Sequence, residues 1–336
     1  MDNLTHAVLG AGLCALAAPR EQRRLALILG AVVANLPDLD YLALWFQADP
    51  VLVVTQHRSW SHSLLVLPFV GLAAWWLPGL RWRALRESSW RWLLAVELAL
   101  LSHPLLDSAT VYGTQLFWPL PYAPVMGGNL FIIDPFFTLP LALGAVLGWR
   151  GTRRPDLGTR PLVFGLAVAA AYFTWTLLAQ RQLEAAVRSQ LAEHNIVSPK
   201  VLATPTPFNS VLWRVIVVHP DGFAAGYYSY WWREGRLSMD QGTRSLALER
   251  EVRQLPSVQR LDWFTHGFGV LEEDPQGRVV YTDLRMGLEP DHVFRFVVAE
   301  RRDGRLVPRT PPEQLPWPSY SKQQLGDLWR RVWAPD

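Results

Sequence analysis

Hydrophobic positions divide this chain unevenly. Residues 1 to about 182 form long apolar runs broken by short polar stretches, whereas residues from about 190 onward alternate strand-like and turn-like segments. Six apolar segments are drawn at roughly 4–18, 25–46, 63–80, 91–107, 136–149 and 161–180. A bilayer needs about 20 apolar residues per helix, so the first and fifth are short and rely on their flanks or on local thinning of the membrane. The expected fold is mainly α: a polytopic membrane bundle of about six helices over residues 1–182, followed by an extramembrane α+β domain, rich in β, over 183–336.

In the second half the chain reads as a polar helical extension over 182–194, then a rigid entry at Thr204–Asn209. Strands are expected at 211–218, 223–232, 267–271, 279–282 and 293–298, with turns at Asp221-Gly222 and 274–277. Residues 321–333 predict an amphipathic helix carrying Trp329 and Trp333 on one face.

Charge gives these segments an orientation. Lysine is almost absent (Lys200 and Lys322), and arginine clusters in alternate loops: Arg20, Arg23 and Arg24; Arg81, Arg83, Arg86 and Arg91; Arg150, Arg153, Arg154 and Arg160. Loops 47–62 and 108–135 hold only Arg58. The positive-inside rule then puts the arginine loops in the cytoplasm. The N-terminus, the two arginine-poor loops and the C-terminal domain are expected on the outer side, which in a Gram-negative cell is the periplasm. The net charge of +3 is modest and follows topology, so no nucleic-acid partner is expected. Acidic Asp2 and the missing basic flank mark the first segment as a retained membrane helix rather than a signal peptide. The single cysteine, Cys14, is a packing residue.

Seven metal-ligating side chains fall at the outer ends of these segments: His6, Asp38, Asp40, His57, His62, His103 and Asp107. Ionisable groups beside apolar runs are costly to bury and mark functional sites. His103 and Asp107 stand four apart on one helix face. Pro37 breaks the helix around Asp38 and Asp40, which lets both carboxylates aim at one centre. His57 and His62 flank Arg58, which either holds an anionic group such as phosphate or pairs with lipid headgroups. Ser61 and Ser63 read as helix caps, and Asp2 as a partner for the second ring proton of His6. Tyr112 is placed to orient a substrate oxygen, and Asp134 is a ligand, a base or an N-cap before Pro135.

The stretches Asp2–His6, Asn35–Asp40, His57–Ser63 and His103–Thr114 resemble the bacterial inner-membrane metal-dependent hydrolases of the YdjM/YbcI type. Thr206–Ser210, Leu212–Arg214 and Thr282–Gly287 resemble longer members, so the likeness covers nearly the whole chain. One departure is Trp60, which stands where that pattern has glycine. The resemblance implies a hydrolase using one or two divalent ions, with Zn²⁺ the best match to mixed His and Asp ligands and Mn²⁺ or Fe²⁺ as alternatives. Membrane lipids are the expected surroundings, and an ester or phosphoester of a lipid or lipid-linked molecule is the expected substrate. Two other readings stay open at this point: transport or metal handling, which wants ligands spread through the membrane depth, and a non-catalytic scaffold that binds a protein through the outer domain.

Overall fold

The computed structural model describes residues 1–82, 89–152, 158–194, 196, 199–220, 222–231 and 239–333. Expectations that involve Arg83, Arg86, Arg153, Arg154, Asp221 and Trp232 lie outside the described residues. The chain divides into two compact units: Met1–Ala43 with Arg58–Leu178 and Pro207–Asn209, and Leu44–His57 with Ala179–Thr206 and Ser210–Asp336.

The first unit is α-helical. Its helices are α1 (Asn3–Ala17), α2 (Arg23–Val33), the start of α3 (Asp40–Leu44), α5 (Leu67–Gly79), α6 (Ser89–Asp107), α7 (Pro135–Gly151) and the N-terminal part of α8 (Arg160–Glu193). Local chemistry sets several boundaries. Asp2 caps α1 by accepting from the Thr5 amide, and Pro37 breaks the 25–46 segment into α2, a 3-10 turn (Pro37–Leu39) and α3. Asp134 caps α7, with Pro135 at the first helical position.

Glycines let these helices approach closely. A Cβ on Gly30 would lie 2.4 Å from the Gly10 carbonyl oxygen, and one on Gly165 would lie 2.4 Å from the Pro140 carbonyl oxygen. The pairs α1–α2 and α7–α8 therefore pack backbone to backbone, as small residues permit in membranes. Cys14, Ala15, Ala26, Trp92 and Leu100 fill the core around α1. Many large apolar side chains point outward, Phe69, Phe164 and Leu139 among them. Exposure on this scale suits a lipid surround.

The six-helix expectation is corrected here. Among the described residues only Arg20–Leu44 and Arg160–Glu193 are long and apolar enough to cross a membrane, or three if Pro50–His62 and Leu67–Gly79, bent by 61°, count as one span. Helix α1 has 15 residues and is apolar because neighbouring helices bury it. The 19 residues of α6 include Arg91, Glu97, His103 and Asp107, and α7 has 17 residues. The architecture is a mainly-α N-terminal region with two or three membrane-length helices plus a separate β-sheet-rich C-terminal domain.

The second unit holds two four-stranded antiparallel sheets, ordered β1-β2-β3-β4 and β10-β9-β6-β5, and a small hairpin, β7-β8. The first sheet comprises β1 (Lys200–Pro205), β2 (Leu212–His219), β3 (Gly222–Ser229) and β4 (Met239–Thr243). The second comprises β5 (Gly269–Glu273), β6 (Arg278–Asp283), β9 (Arg295–Arg302) and β10 (Arg305–Gln314). β7 (Gly287–Leu288) and β8 (Asp291–His292) make the hairpin. Trp213, Val215 and Val217 of β2 bury Ala179, Leu183 and Val187 from the C-terminal part of α8. Helices α9 (Leu246–Val252) and α10 (Pro256–Thr265) lie between the sheets in sequence, and α11 (Lys322–Trp333) follows the last strand. Helix α4 (Pro50–Gln56) belongs to this unit: the Arg260 guanidinium donates to Thr55 Oγ1 (2.9 Å) and to the Thr55 carbonyl (3.1 Å).

Candidate metal centre

Four side chains of the first unit converge at one point. They are Asp38 from the turn after α2, His62 from the 3-10 turn Trp60–His62, and His103 and Asp107 from the last turn of α6. His62, His103 and Asp107 have no exposed side-chain surface. The Nε2 atoms of the two histidines face each other at 3.1 Å. Asp38 Oδ1 lies 3.6 Å from His62 Nε2 and 3.4 Å from His103 Nε2, and Asp107 Oδ2 lies 3.4 Å from each.

Hydrogen bonds behind the rings decide which nitrogens face inward. His103 Nδ1 lies 2.6 Å from the Ala34 carbonyl, which only accepts, so Nδ1 carries the proton. Ser61 Oγ donates to Asp40 Oδ2 at 2.8 Å and lies 2.9 Å from His62 Nδ1. With its own proton committed to Asp40, the hydroxyl accepts from Nδ1–H. Both Nε2 atoms therefore present lone pairs, beside two carboxylate oxygens. Asp107 Oδ2 is buried and makes no hydrogen bond, although Arg58 Nε stands 3.0 Å away. Four electron-pair donors facing one another repel unless a cation lies among them.

The spacing matches as well. Ligand distances of 2.0–2.1 Å in a tetrahedron put donors about 3.3 Å apart, close to the 3.1–3.6 Å seen here. This buried His/Asp cluster is capable of coordinating a divalent metal ion.

The other three expected ligands, His6, Asp40 and His57, are placed as follows. Asp40 Oδ2 accepts from Ser61 Oγ and from the Arg58 amide at 3.1 Å, which puts it behind His62. His6 stacks on His103 (centroids 3.6 Å apart) and its Nε2 reaches the other oxygen of Asp107, Oδ1, at 3.1 Å. The terminal amine of Met1 contacts that same oxygen. The Asp2 carboxylate, expected to pair with His6, instead serves Thr5 in the α1 cap, and His6 Nδ1 is buried without a hydrogen-bond partner. His57 is the buried C-cap of α4, at the end of the segment grouped with the second unit.

The expected catalytic residues are also placed. Arg58 is buried at a positive φ of 62°; its Nη1 donates to Thr110 Oγ1 at 2.9 Å and its guanidinium lies 4.9 Å above the Tyr112 ring. Tyr112 is thus a buried platform for Arg58. Asp134 is the N-cap of α7: it accepts from the Phe136 and Phe137 amides and from the Tyr172 hydroxyl at 2.9 Å. Of its three alternatives, the observed one is the cap. Ser61 was legible only as a cap, yet it is the link from Asp40 to His62.

The profile of the YdjM inner membrane protein family matches residues 1–183, which contain every residue of this cluster. The chain belongs to that family. As a YdjM-family member it is an inner-membrane protein with at least two membrane-spanning helices. It is also 36% identical over 97 residues to the inner membrane protein YbcI of Escherichia coli (strain K12), covering 29% of this chain and 54% of that protein. The chain thus spans about half the length of this curated relative. No solved structure matches it.

Proposed function

We propose that this YdjM-family protein is a metal-dependent hydrolase that cleaves an ester or phosphoester of a lipid or lipid-linked substrate at the outer face of the inner membrane. The observation that carries the reading is the set of four inward-facing electron-pair donors on Asp38, His62, His103 and Asp107. Mixed imidazole and carboxylate ligands favour Zn²⁺, with Mn²⁺ or Fe²⁺ as alternatives. A divalent ion held there supplies Lewis acidity and acidifies water for attack at an ester centre.

The chain's own residues account for the rest of the reading. Asp38 and Asp107 would balance a dication, and the Arg58 guanidinium lies 3.0 Å from Asp107. A cation site with an arginine beside it favours an anionic group, which argues for a phosphoester. Ala34 and Ser61 hold the two rings with Nε2 forward, and His6 holds Asp107 with Oδ2 forward. For topology, the arginine loops support a periplasmic N-terminus and C-terminal domain. The packing of segment 44–57 within the second unit supports one face for that loop and that domain.

The test uses the full chain in detergent or vesicles, with metal content measured alongside hydrolysis of a phospholipid and of a soluble phosphodiester. Hydrolysis is expected to disappear with a chelator and with His103→Ala while circular dichroism is unchanged. Hydrolysis indifferent to both treatments overturns the proposal.

A further inference from the structure

Helix α11 carries an apolar stripe wider than its domain covers. Leu328 and Val332 are buried against Leu212, and Ser229 Oγ ties the helix end by donating to the Val332 carbonyl at 3.0 Å. Leu325, Trp329 and Trp333 lie on the adjoining strip and are each about half exposed, at 47%, 56% and 51%. Trp333 meets Trp329 edge-on at 6.0 Å and stacks on Trp231 at 6.1 Å, and Trp231 is itself 60% exposed. Three indoles of the second unit thus form one outward patch. Arg331 lies over the Tyr227 ring at 4.7 Å, and Arg330, paired with Asp327, is 76% exposed.

The place of this patch along the chain is fixed by Tyr230, the residue before Trp231. Its hydroxyl donates to the Ala179 carbonyl of α8 at 2.6 Å. Counting from Arg160, Ala179 is about twenty residues into α8, the length that crosses a hydrocarbon core. Gln180 and Arg181 follow at once. The carbonyl that Tyr230 holds therefore sits where α8 leaves the apolar layer, and the indole patch begins one residue from that anchor. Indole rings favour this depth, with the ring body in the apolar boundary and N–H toward the headgroups, and arginine beside them favours anionic lipid.

We infer that Trp231, Trp329 and Trp333 seat the C-terminal domain on the membrane interface, with α11 lying in the headgroup layer of a bilayer containing anionic phospholipid. The inference rests on α8 being a membrane span and not on hydrolysis, so loss of the catalytic reading leaves it standing.

Nitroxide labels on the full chain test it. In a Cys14→Ala background, single labels are placed at Trp231→Cys, Trp329→Cys and, as a water-facing control, Arg309→Cys. The protein is reconstituted in vesicles of phosphatidylethanolamine and phosphatidylglycerol. Collision rates are measured with oxygen, which partitions into lipid, and with a water-soluble nickel chelate. The labels at 231 and 329 are expected to favour oxygen severalfold more than the label at 309. If Trp329→Cys unfolds the helix by circular dichroism, Leu325→Cys on the same stripe replaces it. Readings at 231 and 329 equal to the control overturn the inference. So does protection that appears only when the protein-to-lipid ratio is raised, because that result marks a second copy as the occupant.

Discussion

Ser61 separates holding the metal from orienting its holders. Removing its hydroxyl leaves all four donors in place but frees the ring of His62. Ser61→Ala is expected to weaken divalent-metal affinity about 10–100-fold, read by competition with a metallochromic chelator, while Ser61→Thr retains affinity near wild type. An unchanged affinity in Ser61→Ala would show that the ring is held another way. Asp134→Ala is the counterpart: loss of an N-cap costs about 1–2 kcal/mol in thermal or denaturant stability, with bound metal per chain unchanged. The polar residues were legible because ionisable groups stand out beside apolar runs. Which of their atoms face one another was not, because the ring of His103 is set by a carbonyl from the end of α2 and that of His62 by a hydroxyl from its own turn.

At the scale of elements, the close pair α1–α2 sets the position of Ala34, whose carbonyl orients His103. Gly30→Val puts side-chain atoms where the Gly10 carbonyl lies. Overpacking of this kind costs about 1–3 kcal/mol, so a lowered melting midpoint and loss of bound metal are expected together. Retention of both would show that the helix pair yields without disturbing the centre. Apolar patterning located all six segments in sequence, but it reports burial without saying whether lipid or protein does the burying. Helix α1 is enclosed by its neighbours and reads in sequence like a span. In the C-terminal domain, alternation and the turn at Asp274–Gly277 marked β5, β6 and β9. Strand β10 escaped because its prolines at 308, 311 and 312 argue against a strand until it is seen at a sheet edge.

For the whole molecule, stability is expected to depend on metal in one unit and on pH in the other. Saturation with a divalent ion at a hundredfold excess over its Kd adds about 2.7 kcal/mol, so chelation lowers the unfolding midpoint of the full chain; a midpoint blind to chelator counts against a bound ion. In the second unit, burial pushes the Glu289 carboxyl upward, but the adjacent Arg214 guanidinium outweighs this and holds it below its ordinary value. A depressed acid stabilises the fold above its unfolded pKa, about 4.3, and that contribution is lost as pH falls below it. Glu289→Gln is expected to flatten this acid limb, followed by tryptophan fluorescence between neutral and acidic pH. The glycine contact between α1 and α2 also bears on what keeps α1 in place. Its fifteen residues are too few to cross a bilayer alone, and the surface that accepts them lies around Gly30. The seat of α1 is therefore set by shape at Gly10 and Gly30 rather than by its own length.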